Sequence, residues 1–87
     1  MMPQVSRFFG IIIKMYYNDH QPPHFHAEYN EYVAEIRIDT FEVIEGTLPR
    51  RVMGLVLEWA AIHRDELREN WVRARAHEQI STIDPLE

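Results

Sequence analysis

Between His24 and Ile38 the chain alternates apolar and polar residues with a period of two, and this pattern limits the fold more than any other. Phe25, Ala27 and Tyr29 point to one side of a strand, while His24, His26 and Glu28 point to the other. After Asn30-Glu31, the residues Tyr32, Ala34, Ile36 and Ile38 alternate with Val33, Glu35 and Arg37. Taking Asn30-Glu31 as a two-residue hairpin turn sets Phe25 opposite Ile36 and Ala27 opposite Ala34 on an apolar face. On the second face His24 opposes Arg37, His26 opposes Glu35 and Glu28 opposes Val33. A slip of one residue would carry the apolar set into water, so the register is strongly specified. A further tight turn at Asp39-Thr40 pairs Ile36 with Val43 and Arg37 with Glu42.

Upstream, residues 11–17 (IIIKMYY) are β-branched and aromatic and read as a strand. It closes on Asn18, Asp19 and the stiff pair Pro22-Pro23. Val5 to Phe9 read as a short edge strand that breaks at Gly10. From Pro49 the period changes: Val52, Val56, Trp59, Ala60, His63, Leu67, Trp71 and Ala74 recur at helical spacing. Thr47 is the expected N-cap, with Pro49 in the first turn, and the pattern runs to about Glu78. One helix of that length would reach ~45 Å at 1.5 Å per residue. A domain of this size is only about 30 Å across. The helix is therefore expected either to bend near Arg64-Asp65, with Asp65 capping a second segment, or to pack its end on another chain. The tail from Ser81 reads as extended, anchored by Ile83 and Leu86. The expectation is one α+β domain over residues 1–87: an antiparallel meander of three to four strands under a long C-terminal helix.

Composition excludes several classes of function. The absence of cysteine removes disulfides, thiolate nucleophiles and thiolate metal sites. The apolar run Phe8 to Ile13 is too short for a membrane span, and no cleavage site follows it, so a cytoplasmic location is expected. A net charge of −5 argues against a general nucleic-acid coat. Arg64, Arg68, Arg73 and Arg75 interleave with Asp65, Glu66 and Glu69, as on a salt-bridged solvated helix face. Arg50 and Arg51 are less neutralised. They lie at a helix start, where anions are preferred, and are the better candidates for contact with phosphate or an acidic partner.

The stretch FFGIIIKMYYNDHQPPHFHAEY (Phe8 to Tyr29), the segment FEVIEGTLPRR and the helix LVLEWAAIHRDELRENW resemble the DUF4160 family of small bacterial and archaeal proteins. The block Asp-His-x-Pro-Pro-His-x-His is its most distinctive part. The resemblance implies no established activity. Family members often stand beside a gene of the DUF2442 type, in an arrangement resembling a toxin–antitoxin pair. It implies a two-protein module: a cognate protein from the neighbouring gene as partner, and RNA or DNA as a target for the effector half.

Asp19, His20, His24, His26 and Glu28 are the residues that chemistry would use, with Glu35 across from His26. Imidazole titrates near neutral pH, so His24 and His26 suit metal-independent cleavage of RNA, one as base and the other as acid. Arg37, opposite His24, would then steady the developing charge. Asp19 and His20 read as binding residues of the loop. The same His-x-His pair offers two nitrogen ligands on one side, for zinc or nickel. The third ligand would be Glu28, Glu35 or His20. The plainer reading is a solvated polar sheet face, with Asp19 and His20 bonding the loop backbone. His63, Trp59, Trp71 and the tyrosines read as core, sheet or dimer contacts. Three functions stand open: an interaction protein of a toxin–antitoxin-like module, a metal-independent ribonuclease, and a metal-binding or structural homodimer.

Overall fold

The computed structural model describes residues 3–87. Five strands form one sheet in chain order, each antiparallel to its neighbour: β1 (Gln4–Phe8), β2 (Ile11–Lys14), β3 (His24–Tyr29), β4 (Tyr32–Arg37) and β5 (Val43–Gly46). This corrects the expected three to four strands. Phe9 and Gly10 both take left-handed backbone, φ 51° and 77°, as a tight type I′ turn between twisted strands demands. Gly10 is therefore the hinge of a hairpin, and Phe8 pairs with Ile11 across it. β2 stops at Lys14 rather than Tyr17, because Asn18 turns left-handed (φ 55°) and bonds to the helical region.

The β3–β4 register is the expected one at every pair from His24↔Arg37 to Tyr29↔Tyr32, and Asn30 takes the left-handed turn position. Ile36 pairs with Val43, and the Arg37 N–H reaches the Glu42 carbonyl, as expected. The chain turns more widely than a two-residue loop, with the Phe41 N–H bonded to the Arg37 carbonyl. β5 then shifts register past Ile44 and ends at Gly46 (φ 81°), where a Cβ would lie 2.0 Å from the Val33 carbonyl oxygen.

The expected single helix is two, α1 (Arg50–Ile62) and α2 (Arg64–Arg75), broken at His63. His63 has φ −113° and ψ 25°, outside helical values, while its Nδ1 meets the Glu66 carboxylate. The break thus falls one residue before the expected bend, and Asp65 lies inside the first turn of α2 instead of capping it. Thr47 is not the N-cap either: Pro49 holds that position, and the Thr47 N–H extends the β4–β5 pairing to Val33. α2 ends before Glu78 because His77 turns left-handed (φ 59°). The His77 and Glu78 N–H groups then close back on the Ala74 and Arg73 carbonyls, a Schellman arrangement. With this break the molecule measures 34 × 25 × 24 Å, which an unbroken helix would overrun.

Phe25, Ala27, Ala34 and Ile36 pack with Ile11, Ile13 and Met15 against Val52, Val56, Trp59 and Ala60 of α1. Trp59 is fully buried between Phe8 and Phe25, and its indole N–H donates to the Asp84 carbonyl at 2.8 Å. The tail runs along the outer edge of β1. Ile80 and Ile83 are buried, Leu86 packs on the core, and the Ile83 N–H bonds to the Val5 carbonyl. Among the described residues, no helix is long and apolar enough to cross a membrane.

Candidate metal centre

The loop between β2 and β3 is held on both sides. Toward α2, the Asn18 N–H donates to the Ala74 carbonyl at 3.3 Å and Arg75 Nη1 donates to the Asp19 carbonyl at 2.6 Å. Toward the sheet, the Ile38 N–H donates to the Pro23 carbonyl at 3.1 Å. The loop therefore lies over the first residues of β3 and, with the Trp71 ring 5.2 Å from the His24 ring, seals His24 from solvent.

That burial defines the chemistry of His24. Its Nδ1 donates to the Pro22 carbonyl at 2.7 Å. A carbonyl only accepts, so Nδ1 carries a proton, and Nε2 is the ring atom left to meet the carboxylates. Nε2 lies 3.1 Å from Asp19 Oδ2 and 3.5 Å from Glu35 Oε1, yet among the described residues it has no hydrogen-bond partner, and the side chain is 0% exposed. His26 stands beside it with ring centroids 5.1 Å apart, its Nε2 3.0 Å from Asp19 Oδ2. On the other side His20 stacks on His24 at 4.7 Å, with Nε2 3.6 Å from Glu35 and 3.7 Å from Asp19. The His20 side chain is 62% exposed and forms the solvent side of the group.

Burial alone would raise the Asp19 carboxyl. The bond from His26, the His20 N–H and the nearby imidazoles outweigh it and hold Asp19 below its ordinary value. His20 is raised, first by its bond to the Gln21 carbonyl and further by the charges of Asp19, Glu35 and Glu45. Glu35 and Glu45 are direct cross-strand partners on the same face. Like charges so placed repel, and among the described residues no Lys or Arg side chain pairs with the Asp19, Glu35 or Glu45 carboxylates.

Of the residues singled out from sequence, Asp19, His20, His24 and His26 converge here, joined by Glu35. Glu28 does not join them, because Lys14 on the neighbouring strand takes it at 3.0 Å. Arg37 lies across from His24 as expected, but its guanidinium pairs with both oxygens of Asp39 at 3.2 Å. Arg50 and Arg51 are exposed at the start of α1 and form no ion pair among the described residues. His63 is satisfied by Glu66, and its ring lies tilted against Trp59 at 5.5 Å. Glu45, Trp71 and Arg75 had no signal as site residues in the sequence; only the extended β4–β5 register would have pointed to Glu45.

The donor atoms of Asp19, His24 and His26 lie within 4.8 Å of one another, as do those of His20, His24 and Glu35. Nitrogen and oxygen ligands sit about 2.0–2.2 Å from a zinc-like ion, so neighbouring donors stand roughly 3.0–3.6 Å apart. The five imidazole–carboxylate separations, 3.0–3.7 Å, lie close to that spacing, and the two groups share His24.

Residues 10–72 match the model of a protein family described as a domain of unknown function, DUF4160, and this span holds all five donors. No curated protein and no solved structure matches the chain.

Proposed function

The chain belongs to the DUF4160 family, and on that footing we propose that it is a metal-binding domain, holding one divalent transition ion on Asp19, His20, His24, His26 and Glu35. The single observation that carries this reading is the His24 Nε2 atom, buried and without a hydrogen bond between two carboxylates. A buried polar atom left unmatched costs about 1–3 kcal/mol. A cation at this point satisfies it and also neutralises the carboxylates that crowd it. Three imidazoles favour zinc or nickel over magnesium or calcium, which prefer all-oxygen shells.

The metal-independent ribonuclease reading is weaker on the same geometry. His24 has no exposed side-chain surface from which to exchange a proton with an RNA hydroxyl, and the face around it carries the charges of Asp19, Glu35 and Glu45. Phosphodiesters are repelled from such a face.

The test is calorimetric titration of untagged, EDTA-treated protein with zinc or nickel chloride. One ion per chain is expected, with His24→Ala and Asp19→Ala each weakening it about 100-fold or more, beyond the usual effect of losing an outer-shell partner. Stoichiometric binding undiminished in His24→Ala would overturn the assignment.

A second reading, the interaction half of a two-protein module, is supported by the sheet edge. The β1 edge is met by the tail at Val5, while β5 is a terminal strand with Val43 and Ile44 exposed beside Tyr32 and Val33. Co-expression with the product of the neighbouring gene tests it. A complex lost on Val33→Lys or Ile44→Lys supports the reading, and failure of the two chains to co-purify removes it.

A further inference from the structure

We infer that the ion acts as a lock on α2, so that metal occupancy controls whether the C-terminal end of the helical region is docked on the sheet. This rests on the metal-binding reading and adds its consequence.

The five donors belong to two bodies. His24, His26 and Glu35 are on β3 and β4, inside the sheet, whereas Asp19 and His20 are on the loop. An ion bonded to both sets ties the loop to the sheet. Without it, the side-chain ties between the loop and the sheet donors are the Asp19–His26 and His24–Pro22 hydrogen bonds and wider contacts at 3.1–3.6 Å.

The other side of the same loop carries α2. Asp19 bridges the two bodies by itself: its carboxylate faces the imidazoles, and its carbonyl accepts from Arg75. Asn18, one residue earlier, bonds to Ala74, and the Trp71 indole rests against His24, the residue with the orphaned nitrogen. Three residues of the last turns of α2 are thus seated on two donor residues and the neighbour of one.

α2 is a helix distinct from α1. The break at His63 interrupts the helical region, and α1 is anchored on its own through Val52, Val56, Trp59 and Ala60. The Schellman closure ties the tail to α2, and Asn70 holds Ser81, so a shift of α2 reaches the tail that meets β1 at Val5. α2 has its own anchors in the core, Leu67, Trp71 and Ala74, of which Trp71 and Ala74 lie in the turns seated on the loop. Ligand binding shifts a local opening only through contacts that differ between the two states. The Asp19–Arg75 and Asn18–Ala74 bonds are such contacts.

Hydrogen exchange of the full chain with and without zinc, followed by mass spectrometry, tests the lock. Zinc is expected to slow exchange at residues 16–23 and 70–80 together, by about tenfold or more, and to leave α1 unchanged. Coupling is reciprocal. Arg75→Ala, which removes no ligand, is therefore expected to weaken zinc binding about fivefold or more and to abolish most of the zinc-dependent protection at 70–80. Zinc that binds and protects 16–23 but leaves 70–80 unchanged overturns the lock while the metal site stands. Equal slowing across α1 also overturns it, since that is global stabilisation. Absence of zinc binding overturns the metal reading itself.

Discussion

Two buried polar side chains, Asn70 and His24, are almost equally hidden, at 2% and 1% exposure, and they are treated differently by the fold. Asn70 on α2 is matched on both sides of its amide: Nδ2 donates to the Ser81 carbonyl at 2.8 Å, and Oδ1 accepts from the Ser81 N–H at 3.0 Å. It works as a pin between helix and tail and leaves nothing for a ligand. His24 is matched on one side only. Its Nδ1 proton goes to Pro22, and its Nε2 faces two carboxylates without a hydrogen bond among the described residues. A buried group whose bonds close within the chain serves the fold, and one whose bonds stay open among convergent donors serves a ligand.

The largest expected effect that would break this contrast is on metal affinity. His24→Ala is expected to lose about 100-fold or more, whereas Asn70→Ala stays within about threefold of wild type, by calorimetric titration with zinc. Equal losses in the two variants would mean that the difference in matching has no functional meaning. Next in size is stability, read by urea unfolding in EDTA. Asn70→Leu is expected to cost about 2 kcal/mol, because it leaves the Ser81 carbonyl and N–H unmatched. His24→Met should cost less, because the open nitrogen leaves with the ring. Adding zinc reverses the order: wild type and Asn70→Leu gain about 2.7 kcal/mol at a hundred times Kd, and His24→Met gains little.

A smaller effect sharpens the account of Asn70. Both of its bonds go to the main chain of Ser81, whereas the Ser81 hydroxyl only accepts from Arg73 near the surface. Ser81→Ala is accordingly expected to cost less than about 1 kcal/mol in the same unfolding assay. The smallest concerns an exposed pair that shows what matching achieves in water. The Arg37 side chain bonded to Asp39 holds that carboxyl below its ordinary value. A depressed carboxyl contributes stability above its unfolded pKa of about 3.9 and loses it as pH falls through the folded value. Carbon-detected NMR titration of Arg37→Met should show the Asp39 midpoint moving up, with the imidazoles of the cluster undisturbed.

Much of the sheet was legible because a strand's side-chain period comes from backbone geometry alone. His24 to Arg37 could pair in only one way that buried Phe25, Ala27, Ala34 and Ile36 together. The same register placed Glu35 beside His26, so one carboxylate of the site was readable in advance. The choice between Glu35 and Glu28 was not, since it depends on Lys14 reaching Glu28 from β2. The β1–β2 turn was half readable: Gly10 marks a break, but Phe9 in left-handed backbone is a residue that sequence rules seldom place there. The length argument left two outcomes, a bend or an end packed on another chain, and the helix bends. The expected bend lay one residue late, because His63 leaves the helix without any proline or glycine to announce it.

From sequence alone came the alternation, the change of period at Pro49, the cluster of imidazoles and the family; these are local facts, expressed within a few residues of chain. The tertiary structure alone decided that His24 is sealed and its Nε2 left open. The parts that do so, Trp71 and the loop carried by Ala74 and Arg75, meet only when α2 folds back over the start of β3. Burial is a property of what the rest of the chain places on top of a residue, and no spacing within β3 encodes it.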